Sequence, residues 1–272
     1  MKNIRRIIFI AGEVVCALSM SYSTTYFVNA STGNNANNGT TSGTAFKTIT
    51  RALSAATNSD IINVAAGTYN KTLGETFPLN MVSGVTLTGT SGALTTIISA
   101  SGDSNRVFIC SANSATTIIQ GFTITGGSSI NYSSAGQVGK GGGIYITNAS
   151  QTVVQNNIIT SNMVRGYDFF MAGAGALNGG SCYGGGIYID AGSPTIRNNV
   201  ISNNVAMAGG GQDFRGGWSG NGSAGGDADG GGIYAGFGGA ATIINNTFYG
   251  NQAIGGKGGS SNSLNAGNGG NA

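Results

Sequence analysis

The sequence predicts an all-β chain: a solenoid of short parallel strands behind a short N-terminal α-helical cap. Three observations point there. The pentapeptide Gly-Gly-Gly-Ile-Tyr occurs at residues 141–145, 184–188 and 230–234, so the copies begin 43 and 46 residues apart, a period in the range of solenoids and propellers. Each copy leads to a strand-like run ending in an Asn-Asn pair, at Asn156-Asn157, Asn198-Asn199 and Asn245-Asn246. Helical periodicity occurs once, near the N-terminus.

Taken in order, Lys2, Arg5 and Arg6 precede an apolar stretch over residues 7–20, and the small residues Ser19, Ser21 and Ser23 follow. This is the pattern of a secretory signal over residues 1–23. The stretch contains Glu13 and is short for a membrane span, which needs roughly 20 apolar residues. The expected location is therefore secreted or at the cell surface, associated with the outer membrane, with no span in the mature chain. Of 12 basic and 9 acidic residues, cleavage leaves nine and eight. A nearly neutral chain with scattered Lys and Arg lacks the basic patch that nucleic acid requires. Glycine, at 50 of 272 residues, far exceeds its usual share of about 7%, without the Gly-x-y register of collagen.

Residues 24–70 read as the cap. A strand at residues 26–29 and a polar loop at residues 33–43 precede Ile49, Ala52, Leu53 and Ala56, whose spacing makes one apolar helical stripe. A solenoid's first coil has an exposed end that such a stripe can cover. Residues 71–272 then break into β-branched runs of three to six residues between Gly, Asn and Ser, which suits a coil of narrow strands.

Alternation assigns the faces. With Ile144 and Ile146 inward, Tyr145 points out; Ile187 and Ile189 do the same for Tyr188, and Tyr234 holds the equivalent place. In the following strand Val154, Ile196 and Ile243 share a side with Asn156, Asn198 and Asn245, which predicts an inward asparagine ladder of amides bonded from coil to coil. Residues 163–183, 205–229 and 252–272 exceed a plain coil and enter at one corner. They read either as long Gly-rich loops or as further irregular coils.

Residues 26–70, with Gly-Asn-Asn-Ala-Asn-Asn-Gly at 33–39, Phe46-Lys47-Thr48-Ile49 and Val64-Ala65-Ala66-Gly67-Thr68-Tyr69-Asn70, resemble the N-terminal cap of secreted proteins of the pectate-lyase-like superfamily, a cap of the domain-of-unknown-function type. The later copies resemble polymorphic outer-membrane protein repeats. Phe248-Tyr249-Gly250-Asn251 fits their Phe-x-x-Asn hallmark, while Ile159 and Ile201 replace the Phe elsewhere. The resemblance implies a single-stranded right-handed parallel β-helix. It leaves function open, since one fold hosts many activities.

The hydrolases of this superfamily carry Asn-Thr-Asp and Gly-His-Gly motifs; this chain has no His and no Asn-Thr-Asp. Its lyases use several carboxylates on neighbouring coils to hold Ca²⁺, whereas the column after the Tyr-bearing strand reads Thr147, Asp190, Gly236. One carboxylate does not satisfy an ion that takes six to eight oxygens. Asp213, Asp227 and Asp229, in a Gly-rich segment with Arg215 and Trp218, leave Ca²⁺ as the single ion to consider; otherwise no cofactor or metal, and no catalytic residue, is expected. Cys110 and Cys182 either pair or stay apart. The candidate ligand-binding residues are Tyr145, Tyr188, Tyr234 and Trp218. Stacked tyrosines about 4.8 Å apart form either a strip against which sugar rings lie or plain β packing. The expected function is a binding module of adhesin type for glycans or host and cell-surface molecules. The alternative is a polysaccharide lyase or hydrolase with an unfamiliar site. A C-terminal cap pattern is missing before Ala272, which reads as a truncated end.

Overall fold

Short β-branched runs give three walls of parallel strands around one core. The computed structural model describes residues 23–130, 138–168, 177–213, 221–261 and 266–272; most of the signal segment, Arg215 and Trp218 lie outside them. The first wall stacks Thr25–Val28, Ile61–Val64, Thr86–Gly89, Ile118–Gln120, Val153–Gln155, Thr195–Arg197 and Thr242–Ile244. The second stacks Gly67–Asn70, Thr96–Ser99, Thr123–Thr125, Ile158–Thr160, Val200–Ser202 and Thr247–Tyr249. The third stacks Leu79–Asn80, Phe108–Ser111, Ile144–Thr147, Ile187–Gly192 and Ile233–Gly239. Every pairing is parallel and joins consecutive coils, for example Val153 to Ile118 on one side and to Thr195 on the other. This is the parallel β-helix the sequence predicts.

Like side chains stack into columns along the axis. Ile62, Leu87, Ile119, Val154 and Ile196 form one on the first wall, and Ile98, Ile124, Ile159 and Ile201 one on the second. All are fully buried, each worth roughly 1.5–3 kcal/mol relative to exposure. Helix Ile49–Ala55 closes the N-terminal end with Ile49, Ala52 and Leu53 buried. Its start is held twice: Thr48 accepts from the Arg51 amide at 3.1 Å, and the Glu75 carboxylate accepts from the amides of Ile49 at 2.6 Å and Thr50 at 2.8 Å. Those contacts place an anion where the orphan donors and the helix dipole favour one. At the other end Ile243 and Phe248 are about half exposed, at 46% and 48%.

The predicted asparagine ladder is displaced by one residue. Asn156, Asn198 and Asn245 are exposed; the ladder is Asn157, Asn199 and Asn246. Asn157 donates its backbone N–H to the Asn199 side-chain oxygen at 3.0 Å and its side-chain amide to the Ile119 carbonyl at 2.9 Å. Asn199 repeats the pattern with Asn246 and Val154, at 2.9 and 3.0 Å. The cause is the corner. Asn156, Asn198 and Asn245 have φ of 56°, 55° and 53°, the left-handed conformation that Asn tolerates. One such residue turns the chain and resets the alternation, so the next side chain points in. A second ladder, Asn162, Asn204 and Asn251, follows the second wall on the same plan: Asn162 donates its backbone N–H to Asn204 at 3.1 Å and Asn204 its own to Asn251 at 3.1 Å.

In their described residues the surplus segments are not free loops. In four coils, the first of them ahead of residue 163, the chain first extends as a strand (Ser128–Ile130, Met163–Arg165, Val205–Met207, Gln252–Ile254), and in three it returns through a second (Gly139–Lys140, Cys182–Tyr183, Ala228–Asp229). These strands enclose a small separate core of Val164, Cys182, Ala206, Ala208 and Ala228. Beyond it, extended glycine-rich chains bond to one another in series. Gly209 N–H donates to the Gly180 carbonyl at 2.9 Å and, three residues on, Gln212 to Leu177 at 3.4 Å. Gly226 and Ser223 donate back to Gly209 and Gln212 at 3.0 and 3.2 Å, Gly256 and Gly259 to Gly226 and Ser223 at 2.8 Å each, and Gly270 and Gly267 to Gly256 and Gly259 at 2.7 Å each. A three-residue period without bonds inside a segment is that of polyproline-II-type chains. At the closest approaches only glycine fits: a Cβ on Gly209 would lie 1.8 Å from the Tyr167 carbonyl oxygen, and one on Gly256 1.9 Å from that of Gly209. Such a lattice has no hydrophobic periodicity, so its sequence reads as loop.

Two sets of substitutions test these assignments. Asn199→Ala should destabilise the chain by about 1–3 kcal/mol in urea unfolding, because Asn157 and Val154 lose their buried partners, whereas Asn198→Gly, at an exposed left-handed position, should be close to neutral. Gly209→Ala should strip hydrogen-exchange protection from the amides of Gly226 and Gly256. Gly210→Ala, where a Cβ meets nothing closer than 3.6 Å, should leave it intact.

Candidate functional site

The pentapeptide builds the outer face of the third wall. In each copy the first glycine (Gly141, Gly184, Gly230) turns the chain at φ of 60°, 69° and 63°, and the next two pass against neighbouring backbone: a Cβ on Gly142 would lie 2.4 Å from the Met163 carbonyl oxygen. The strand that follows holds its isoleucines in the core and its tyrosines outside, with Tyr145, Tyr188 and Tyr234 in register.

Their rings pack on one another. Centroids lie 5.6 Å apart for Tyr145 and Tyr188 and 5.5 Å for Tyr188 and Tyr234, the latter pair tilted by only 13°. Tyr183, from the returning strand Cys182–Tyr183 of the arm that the surplus segments form beside the coil, stacks on Tyr234 at 4.7 Å. Tyr188 is consequently 5% exposed. The faces of these rings are turned toward each other rather than outward, so of the two sequence expectations the packed column holds. What the column offers to solvent is its hydroxyl rim and the polar groups gathered on it.

Those groups converge on Asp190. Lys140 Nζ lies 3.1 Å from Oδ1 and the Tyr188 hydroxyl 3.0 Å from the same oxygen. The hydroxyls of Tyr145 and Thr147 donate to Oδ2 at 3.3 and 3.4 Å. Four donors fill the acceptor sites of a carboxylate. The Lys140 ammonium also sits 4.9 Å from the Tyr188 ring centre, and the Arg106 guanidinium 4.7 Å from that of Tyr145, both within cation–π reach. Burial on its own would raise the Asp190 pKa, but the bonds from Lys140, Tyr188 and Tyr145 outweigh it and hold the carboxyl below its ordinary value of 3.8. For Lys140 burial acts downward, and Asp190 with Tyr188 overcomes it, holding the amine above 10.5. Burial pushes the Tyr188 phenol up as well.

The sequence reading placed Tyr145, Tyr188 and Tyr234 together and treated Asp190 as an isolated carboxylate. It missed Lys140, Tyr183 and Arg106. A signal for two of them exists: Lys140, Tyr183 and Asp229 immediately precede the three pentapeptide copies and pair in register. Arg106 lies one coil earlier and has no repeat to mark it. The loop aspartates do not converge. Asp213 accepts from the Ser260 amide at 2.6 Å and Asp227 from the Asn271 amide at 2.8 Å, and among the described residues no three His, Cys, Asp or Glu side chains gather as metal ligands. Cys110 and Cys182 are free thiols buried in different cores, each pushed up to about 12 by burial. No helix among the described residues is long and apolar enough to cross a membrane.

The family described as "Protein of unknown function (DUF1565)" matches residues 31–176. The chain belongs to that family. The DUF1565 match takes in Arg106, Lys140 and Tyr145 and ends before Tyr188, Asp190 and Tyr234, so the polar cluster straddles its edge. No curated protein matches the chain. Among solved structures, the native GH136 lacto-N-biosidase from Eubacterium ramulus is similar over 68% of this chain and 36% of its own, with 13% identity and a TM-score of 0.31. The chain thus spans little more than a third of that protein.

The signs of the two shifts fix a pH window. Asp190 is depressed, so its contribution is present above its ordinary carboxyl range and is lost as pH falls through the folded value. Lys140 is elevated, so its contribution is complete below 10.5 and is lost as pH rises beyond it. Asp190→Asn should cost about 1–2 kcal/mol at neutral pH, an exposed ion pair plus hydroxyl bonds. In urea titrations across pH, the gap between wild type and variant should close below pH 3.8.

Proposed function

We propose that this chain is a secreted or cell-surface binding module of adhesin type, and that it holds glycans, including those of host or neighbouring cell surfaces, against the outer face of the third wall. The observation that carries this reading is the Asp190 cluster: an amine, two phenols and a threonine hydroxyl held on rigid strand positions around one half-exposed carboxylate. Prepositioned polar groups beside apolar ring edges suit a polyhydroxylated ligand, and their rigidity spares the entropy of ordering them on binding. The signal-like N-terminus and near-neutral mature charge fit an exported partner for carbohydrate.

The convergence of a carboxylate, an amine and phenols also favours a second reading, a polysaccharide lyase or hydrolase. Protonation weighs against it. A general base works best with a pKa near the working pH, while Lys140 is held protonated, the Tyr188 phenol is pushed up, and all acceptor sites of Asp190 are filled.

On a glycan array, the purified chain should show ligands whose binding falls about tenfold in the double variant Tyr145→Phe with Asp190→Asn, which removes a rim hydroxyl and the carboxylate that holds Lys140 and the phenols in place. Binding indifferent to that change would remove the glycan reading. Incubation with polygalacturonate, with or without Ca²⁺, should yield no unsaturated oligosaccharides; Asp190-dependent release would install the lyase in its place.

A further inference from the structure

Beside the tyrosine column lies a cavity of about 290 Å³ whose lining includes Arg106, Asn105, Ser128, Ser129, Pro78 and Ile109. Phe108 pairs with Ile144, so Arg106 occupies the place that Gly142 takes one coil later. The later coils carry glycine there, and this one carries a guanidinium. Arg106 is half-buried, donates from Nη2 to the Ser129 hydroxyl at 2.9 Å, and lays its plane over the Tyr145 ring.

Its charge has no counter-ion among the described residues. Among the described residues Asp190 is paired with Lys140 at 3.1 Å and Asp103, close by in the chain, with Lys71 at 2.7 Å, while Arg106 forms no ion pair. Burial lowers its pKa, partly offset by Tyr145, as expected of a desolvated cation without an anion. The Ser129 hydroxyl that accepts from it lines the same cavity. A buried donor left unmade is costly, and a guanidinium fork with four further N–H groups matches a planar or tetrahedral oxyanion.

We infer that this cavity is a subsite for an oxyanion carried by the ligand, a carboxylate or sulfate group on an acidic glycan, with Arg106 as its anchor and the Ser129 hydroxyl in support. The inference rests on the glycan reading for the neighbouring tyrosine rim. It adds that the ligand is acidic and that the acidic sugar sits at the Tyr145 end of the column.

Calorimetric titration of the whole chain with three trisaccharides of one backbone tests it: trigalacturonate, its carboxyl-reduced neutral form, and that neutral form bearing sulfate. At least one anionic form should bind about tenfold or more tightly than the neutral one, a difference of about 1.4 kcal/mol. The form that loses more in Arg106→Gln names the natural group. Arg106→Gln should abolish the preference, bringing the anionic forms down to the affinity of the neutral one, and Arg106→Lys should restore only part of it, since a point charge lacks the fork. Equal affinity for all three forms, or a preference that survives Arg106→Gln, overturns the subsite and leaves the glycan face standing. An Arg106-dependent preference that is untouched by Tyr145→Phe with Asp190→Asn supports the subsite and removes the glycan face. Failure of all three to bind overturns the subsite.

Discussion

Two columns of asparagine hold the last three coils to one another and to the coil before them, and the register of the repeats depends on them. At these corners one residue in the left-handed region turns the chain, and the next side chain fills the space beneath the backbone with an amide that bonds to the neighbouring coils. Hydrophobic stacking alone tolerates sliding along the strand direction, because isoleucine packs against isoleucine over a range of offsets. A side chain that must satisfy two backbone carbonyl and amide groups in a dry interior does not. The tyrosines of the third wall meet because this constraint aligns the pentapeptides.

Much of this was legible in the sequence. The three pentapeptides revealed the repeat, the wall and the outward tyrosines, and one helical stripe revealed the cap. The asparagine assignment missed by a residue because strict alternation presumes extended backbone throughout, and Asn156, Asn198 and Asn245 are not extended. The arm was unreadable for a different reason. Polyproline-II-type chains bury no side-chain stripe, so Gly209, Gly226 and Gly256 carry no period that hydrophobicity can report. Lys140 and Arg106 escaped notice because their partners lie on other coils, and separation along the chain says little about adjacency across a solenoid.

Charge distribution at the face follows from the same stacking. A parallel coil brings like residues together, which would set identical charges side by side. Here the column before the pentapeptide varies instead, Lys140 beside Tyr183 beside Asp229, and the lysine reaches across to Asp190. Variation at a position just ahead of the repeated glycines gives this repetitive scaffold a local, asymmetric group of polar atoms.

The glycine arm has a thermal consequence. Its cohesion comes from backbone hydrogen bonds with little apolar surface hidden behind them, apart from the small cluster around Val164 and Cys182. The heat-capacity change of unfolding scales with apolar exposure and is reduced by polar exposure. Opening of the arm therefore carries a small heat-capacity change, and melting of the coil, with its columns of isoleucine, a large one. The two parts have stability curves of different curvature. Cooling weakens the coil's hydrophobic contribution while sparing the arm, and heating acts most strongly on the glycine lattice, whose residues regain more backbone freedom than any others on release. One chain thus joins two materials with opposite temperature habits along the edge where its tyrosines meet the arm.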